Sequence, residues 1–175
     1  MSAMKGKLIE ILNCDAKWGI GKNNDLLFRL PKDMAFFRNT TRGHVVAMGE
    51  NTLLSFPGSK PLKNRTNIVL SQDGSHNYDD VVNVHSMDAF KAEIRRQLEN
   101  GDVFIVGGAS IYRQMVPYAD EVYLTKVHAD GQAEVFYVNL DETDGYVLAK
   151  ESEPEEDNGI TITFCTYVNT KKLPL

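Results

Sequence analysis

The sequence is poor in cysteine: Cys14 and Cys165 are the only two in 175 residues. A small disulfide-stapled scaffold needs more. Both sit in strand-like apolar contexts, which predicts buried free thiols of a cytosolic protein, with a disulfide or a catalytic thiol as the alternatives. Positive charge is also short. Nineteen Lys and Arg against 24 Asp and Glu give a net charge of -5, whereas a general nucleic-acid binder is normally basic. No apolar run is long enough to span a bilayer. No long apolar segment follows the lysines near the N-terminus, so no signal peptide is expected, and the expected location is the cytoplasm. Internal repeats and low-complexity segments are absent, and so are the six-residue glycine-rich dinucleotide fingerprint and the P-loop.

What is present is ordinary for a globular enzyme. Hydrophobic residues make up 42% and charged residues 25%, which argues against disorder and coiled coil. The length favours one domain over residues 1–175 and suffices to bury roughly two-thirds of the unfolded surface.

The pattern predicts strands at residues 8–14, 44–48, 67–71, 81–84, 103–106, 121–127 and 133–138. Residues 19–30 read as a loop rich in Gly, Asn and Asp. Pro31 opens a helix to about Arg38, and a short helix is expected over residues 50–55. Ser86 is a plausible N-cap for a helix to about Asn100, with Met87, Phe90 and Ile94 at helical spacing. Gly107-Gly108 turns the chain into a helix over residues 109–116. Residues 146–150 and 160–168 form a closing hairpin, joined by an acidic stretch, residues 151–157, read as a solvated loop, with a partner site as the alternative. This order predicts a three-layer α/β fold: a mostly parallel twisted sheet flanked by helices on both faces, with an antiparallel C-terminal hairpin at one edge. Ligands of such sheets bind beyond the C-terminal ends of the strands.

Two strand-to-helix turns fall there, Val46-Ala-Met-Gly-Glu-Asn-Thr52 and Phe104-Ile-Val-Gly-Gly-Ala-Ser110. Glycine permits close backbone approach to a ligand, and a helix start offers free N–H groups to phosphate. A glycine chosen only for a tight turn is the plainer reading. Asp33 and Phe37 lie four apart on one helix face. Asp33 either complements the helix dipole or is a partly buried carboxylate for a cationic or amidine-like ligand, with a raised pKa suited to proton chemistry. Arg65 is either a surface arginine or a fork for a ligand carboxylate.

Taken together, four stretches resemble the dihydrofolate reductase family, and its bacterial branch most. They are Trp18-Gly-Ile-Gly-Lys-Asn-Asn-Asp-Leu-Leu-Phe-Arg-Leu-Pro-Lys-Asp33, Val46-Ala-Met-Gly49 with Thr52, Pro61-Leu-Lys-Asn-Arg-Thr-Asn-Ile-Val-Leu-Ser71, and Val103-Phe-Ile-Val-Gly-Gly-Ala-Ser-Ile-Tyr112, with Tyr123-Leu-Thr125 following. The resemblance covers residues 7–168. It implies hydride transfer from NADPH to C6 of 7,8-dihydrofolate with protonation at N5, giving tetrahydrofolate for one-carbon and thymidylate metabolism.

By the same resemblance, Asp33 binds the pterin 2-amino group and N3 and favours protonation at N5 through a solvent water, with Thr125 hydrogen-bonded around it. Ile11, Asn13, Leu26, Phe28, Met34, Phe37, Phe56, Leu62, Val106 and Tyr112 face the folate, and Arg65 holds the α-carboxylate of its tail. The cofactor side comprises Asn13, Ile20, Gly49, Glu50, Asn51, Thr52, Leu70, Ser71, Gln72, His85, Val106, Gly107, Gly108, Ala109, Ser110, Ile111 and Tyr112. Gly107-Gly108 matches a glycine pair joined by a cis peptide. Residues 19–27 match a loop that closes over both ligands. No metal is expected. The expected partners are dihydrofolate and diaminopyrimidine or pteridine antifolates, bound by a monomer, with neither nucleic acid nor membrane.

Several positions depart from the common family pattern. Phe28 replaces a usual Trp, Leu27 a usual Pro and Asn13 a small Ala. Glu50 and Gln72 stand where basic residues commonly meet the cofactor's 2′-phosphate, which predicts weakened selectivity for NADPH over NADH. His85 is the expected remaining partner for that phosphate. The rival readings are a related reductase of a riboflavin-pathway pyrimidine, against which Asp33 and Arg65 argue, and a catalytically weak folate binder.

Overall fold

The computed structural model describes residues 5–23, 25–74 and 76–175. The apolar runs become strands, as their β-branched composition favours. They are β1 (Leu8–Cys14), β3 (Val45–Gly49), β4 (Thr66–Leu70), β5 (Val82–Val84), β6 (Val103–Ile105), β7 (Glu121–Val127), β9 (Tyr146–Glu151) and β11 (Ile160–Asn169). With β10 (Glu155–Asp157) they form one sheet in the order β10-β11-β7-β1-β6-β3-β4-β5, and β9 also pairs β11. Pairing from β7 through β5 is parallel, and β11 is antiparallel to β7, β9 and β10.

Side-chain alternation along the parallel strands sorts the core into two layers. Ile9, Val46, Val69 and Phe104 face one side. There they pack with Phe36 and Phe37 of α1 (Pro31–Thr41) and Leu53 of α2 (Glu50–Ser55). Leu8, Ala47, Ile68 and Ile105 face the other. They pack against Phe90, Ile94 and Leu98 of α3 (Met87–Leu98) and Ile111, Tyr112 and Met115 of α4 (Ala109–Met115). The three-layer arrangement expected from the sequence is present. The Ser86 hydroxyl caps α3 by accepting from Ala89 N–H at 3.0 Å.

Four expectations need correction. Residues 19–30 are not wholly loop: β2 (Gly19–Gly21) pairs antiparallel with β8 (Val135–Phe136), making a small separate ribbon. The strand expected over residues 133–138 contracts to β8. α1 runs to Thr41 rather than ending near Arg38; Thr41 is buried and its hydroxyl donates to the Phe37 carbonyl. Its last turn is polar and carried no apolar period.

The fourth correction bears on the site. The acidic stretch is not all solvated loop, because β10 lies within it and Asp157 is only 2% exposed. This segment clamps the start of α1. The Asp157 carboxylate accepts from Asp33 N–H at 3.1 Å, and Lys32 Nζ donates to the Glu156 carbonyl at 2.6 Å. Asn158 Nδ2 donates to the Arg29 carbonyl at 3.0 Å. Leu30, the N-cap of α1, has no side-chain cap of its own. Asp157 therefore satisfies from outside one of the N–H groups that a helix start leaves free.

Candidate active site

Asn13 of β1 and Thr125 of β7 are register partners on adjacent parallel strands. Their side chains therefore leave the same face of the sheet, and α1 brings Asp33 to both. Thr125 Oγ1 donates to Asp33 Oδ1 at 2.6 Å, and Asn13 Nδ2 donates to Asp33 Oδ2 at 2.8 Å. Burial raises the Asp33 pKa above the ordinary aspartate value. The bonds from Thr125 and Asn13 pull it back down, and the neighbouring Asp157 charge pushes it up. The result is a carboxylate more easily protonated than a surface one, as acid–base work near neutrality requires. Asp33 sits in the first turn of α1, where it also complements the helix dipole.

An apolar wall adjoins this carboxylate. Ile11, Phe37, Phe56, Leu62 and Val106 belong to one cluster with the sheet face described above. Met34 and Leu26 lie outside the core, 49% and 60% exposed. Phe28 goes elsewhere: it packs with Leu30, Val127 and Ile162 in a third cluster. Tyr112 is buried on the opposite layer, and its hydroxyl donates to the Ile11 carbonyl at 2.8 Å.

Arg65 lies beyond the C-terminal end of α1. Its Nε donates to Thr41 Oγ1 at 2.8 Å, its Nη1 to the Lys63 carbonyl at 2.8 Å and its Nη2 to the Arg38 carbonyl at 3.2 Å. Those bonds use three of the five guanidinium N–H groups and leave one on each terminal nitrogen. Among the described residues no carboxylate pairs with it. Burial, then the charges of Arg42 and Arg38, lowers its pKa. The remaining two N–H groups form a fork matched to a carboxylate.

The glycine turns meet at the ends of β3 and β6. Gly49 N–H donates to the Gly107 carbonyl at 3.0 Å, and Gly107 and Gly108 are joined by a cis peptide. Gly107 has φ of +130°, where side chains are disfavoured, and a Cβ there would stand 3.1 Å from Thr52 Oγ1. A Cβ on Gly49 would stand 3.3 Å from Ile111 Cγ1. Gly49 and Gly108 are also the N-caps of α2 and α4, with no side-chain cap on either. This backbone, stripped of side chains and presenting free N–H groups, fits a nucleotide cofactor, with Thr52, Ala109, Ser110 and Asn51 around it. Ile20, on β2, packs against the α3/α4 layer.

At the outer strand ends, Leu70 and Ser71 are buried and Gln72 is exposed. Glu50 points neither to open solvent nor away: its Oε2 accepts from Ser71 Oγ at 3.1 Å and from the Tyr78 hydroxyl. His76 Nδ1 lies 3.7 Å from the same oxygen. The Tyr78 phenol is pushed up to about 12, first by its bond to Glu50. Both ring nitrogens of His85 are engaged, Nδ1 with the Ser71 carbonyl at 2.9 Å and Nε2 with Asn77 Oδ1 at 2.8 Å.

Sequence reasoning missed several groups. Asp15 is buried and accepts from the backbone N–H groups of Lys17, Gly19 and Gly131, so it ties the base of the β2 ribbon to a loop more than a hundred residues away. Its position ahead of a Gly-containing turn is the local signal. Glu10 is fully buried on β1. Its Oε1 accepts from the Tyr137 hydroxyl at 2.6 Å, while Oε2 has no partner among the described residues, and burial raises its pKa well above the ordinary value of 4.5. Tyr78 and His76 around Glu50 had no local signal. Both cysteines are free and buried as expected, with thiols pushed by burial up to about 12 for Cys14 and about 11 for Cys165. Among the described residues there is no group of three or more His, Cys, Asp or Glu able to hold a metal, and no helix long and apolar enough to cross a membrane.

Comparison with known proteins bears on this geometry directly. The dihydrofolate reductase family model matches residues 7–169. A dihydrofolate reductase of Bacillus subtilis is 32% identical over 158 residues, 90% of this chain and 91% of that protein. One from Staphylococcus haemolyticus is 35% identical over 138 residues, 78% of this chain and 80% of that protein. Among solved structures, a dihydrofolate reductase from Enterococcus faecalis complexed with NADP(H) and RAB-propyl superposes with a TM-score of 0.82 at 27% identity. That match covers 95% of this chain and 98% of the other. The chain belongs to the dihydrofolate reductase family.

Proposed function

We propose that the Asp33 cluster is the centre at which this dihydrofolate reductase converts 7,8-dihydrofolate to 5,6,7,8-tetrahydrofolate. NADPH supplies the hydride that C6 receives. The observation that carries the assignment is a partly buried carboxylate held by Asn13 and Thr125, with its pKa raised mainly by burial. Asp33 accepts from the 2-amino group and N3 of the pterin and favours protonation at N5 through a solvent water. Ile11, Phe37, Phe56, Leu62 and Val106 exclude water from the ring, and Leu26 and Met34 cover its open side. The free fork of Arg65 takes the α-carboxylate of the tail. The uncapped backbone at Gly49 and Gly107-Gly108 receives the cofactor phosphates and nicotinamide edge. The reading takes the unit of function as a monomer of one domain over residues 1–175. The reading places it in the cytoplasm, serving one-carbon and thymidylate metabolism.

The test is Asp33→Asn. An amide preserves shape but cannot play the same part in protonation, so turnover at neutral pH falls by orders of magnitude while NADPH affinity stays within a few-fold. A protonated 2,4-diaminopyrimidine, which sets an amidinium against the carboxylate, binds the parent protein tightly and loses most of its affinity for the variant. Near-full activity of the variant, or equal inhibitor affinity, refutes the assignment.

A further inference from the structure

We propose that Asn13 is a positioning residue for Asp33: its side-chain amide turns the carboxylate so that one free acceptor site on each oxygen faces the substrate ring. The inference rests on the reading of Asp33 given above and adds to it a role for a residue that does not carry the chemistry.

The argument is a count of acceptor sites. An ionised carboxylate has about four lone-pair sites, two per oxygen. Thr125 Oγ1 takes one on Oδ1, and Asn13 Nδ2 takes one on Oδ2. Two remain, one on each oxygen, and two parallel sites on one edge are what a pair of adjacent ring N–H groups needs. With Thr125 alone, the carboxylate stays free to swing about its Cβ–Cγ bond, a broad torsion for aspartate. The second donor removes that freedom before the substrate arrives, which is where preorganisation contributes to binding.

The supports of the two donors are rigid. Asn13 and Thr125 are register partners in the middle of the sheet. The β1 backbone is further held by the Tyr112 hydroxyl, which donates to the Ile11 carbonyl two residues earlier. The groups facing Asp33 are therefore Asn13 from β1, Thr125 from β7 and the Asp157 carboxylate from β10, with the buried phenol of Tyr112 from α4 near enough to feel its charge. Of these the Asp157 carboxylate opposes ionisation of Asp33. Asn13 thus also helps keep Asp33 anionic against burial and against Asp157.

Two variants separate the donor from its volume. Asn13→Ala removes both, and Asn13→Leu removes the donor while keeping a similar size. In each, the apparent pKa of Asp33 in the pH profile of kcat/KM for dihydrofolate moves up, because a bond to the charged form is lost. Affinity for a 2,4-diaminopyrimidine at a pH where it is protonated falls about tenfold, the scale of one bond to a charged group discounted for partial exposure. An unchanged pH profile in the Leu variant overturns the proposal, since a merely space-filling Asn13 would leave it so. A rise in inhibitor affinity also overturns it, because Asn13 would then be competing with the ligand for Oδ2. If Asp33→Asn keeps its activity, the underlying assignment fails instead, and the two failures are told apart.

Discussion

Glu10→Gln is expected to flatten the pH dependence of stability without touching the site. The parent carboxyl is fully buried, bonded among the described residues only to the Tyr137 hydroxyl, and its pKa in the folded protein lies well above its ordinary value of 4.5. The native state therefore keeps a proton that the unfolded chain releases. Where that holds, the unfolding free energy falls as pH rises, by about 1.4 kcal/mol per pH unit for one proton. The window opens just above the ordinary carboxylate value and closes at the raised native one. Gln carries no titrating proton, so its curve lacks this component. The variant should be no more stable than the parent at the acid end, because Nε2 inherits the unpartnered position of Oε2 and a buried amide without a partner is costly. The gap then shifts in the variant's favour by about 2.7 kcal/mol over two pH units inside the window. Tyr112, Tyr137 and Tyr146, which surround Glu10, have pKa values raised by burial and stay neutral throughout. Urea unfolding of both proteins from pH 5 to 8 measures the difference. Parallel curves would refute the reasoning, since they require Glu10 to be ionised in the folded protein.

Two further outcomes are expected. Selectivity for NADPH over NADH should be weaker than is usual for the family, because Glu50 is fixed at the strand ends by Ser71, Tyr78 and His76, and the expected cofactor site would set a 2′-phosphate of about -1.5 to -2 charge against it. Glu50→Arg with Gln72→Arg should raise the preference by roughly one to two decades in kcat/KM; a parent preference above about a thousandfold, or no gain in the variant, would contradict this. Ser86→Ala, which removes the acceptor for Ala89 N–H at the start of α3, should cost about 1 kcal/mol in denaturant unfolding and leave kcat unchanged, and an unaltered midpoint would show that α3 does not depend on its cap.

Elements with a local signal were legible in the sequence. The span of α2, the Ser86 cap and the strands β1 and β7 follow from composition and period alone. What escaped depends on distant docking. Gly19-Ile-Gly has no alternation, and it becomes a strand only because Val135–Phe136 arrives beside it. Asp157 sits in an acidic run that reads as solvated, and its burial follows from contact with a helix 124 residues earlier. Glu10 interrupts an apolar strand that the sheet buries on both faces, which was a usable signal. At the site, Asp33 and Arg65 stand out in the sequence as candidates, and the roles proposed for them rest on the family motifs. The bond from Asn13 was not legible, because it depends on the register between β1 and β7 and on where α1 lies across them.

The clamp on α1 has a consequence for synthesis. Asp33 emerges from the ribosome early, but its backbone N–H waits for the carboxylate of Asp157, its neighbour Lys32 for the Glu156 carbonyl, and its side chain for Thr125. Long-range pairings of this kind form late, after the entropy of closing a long loop has been met. A nascent chain halted before β10 carries both Asp33 and Thr125 and still lacks the outer cap of α1. Such a product would be a reductase in sequence with its acid–base group unsecured. The last-made hairpin therefore completes the candidate site by holding the helix that carries Asp33.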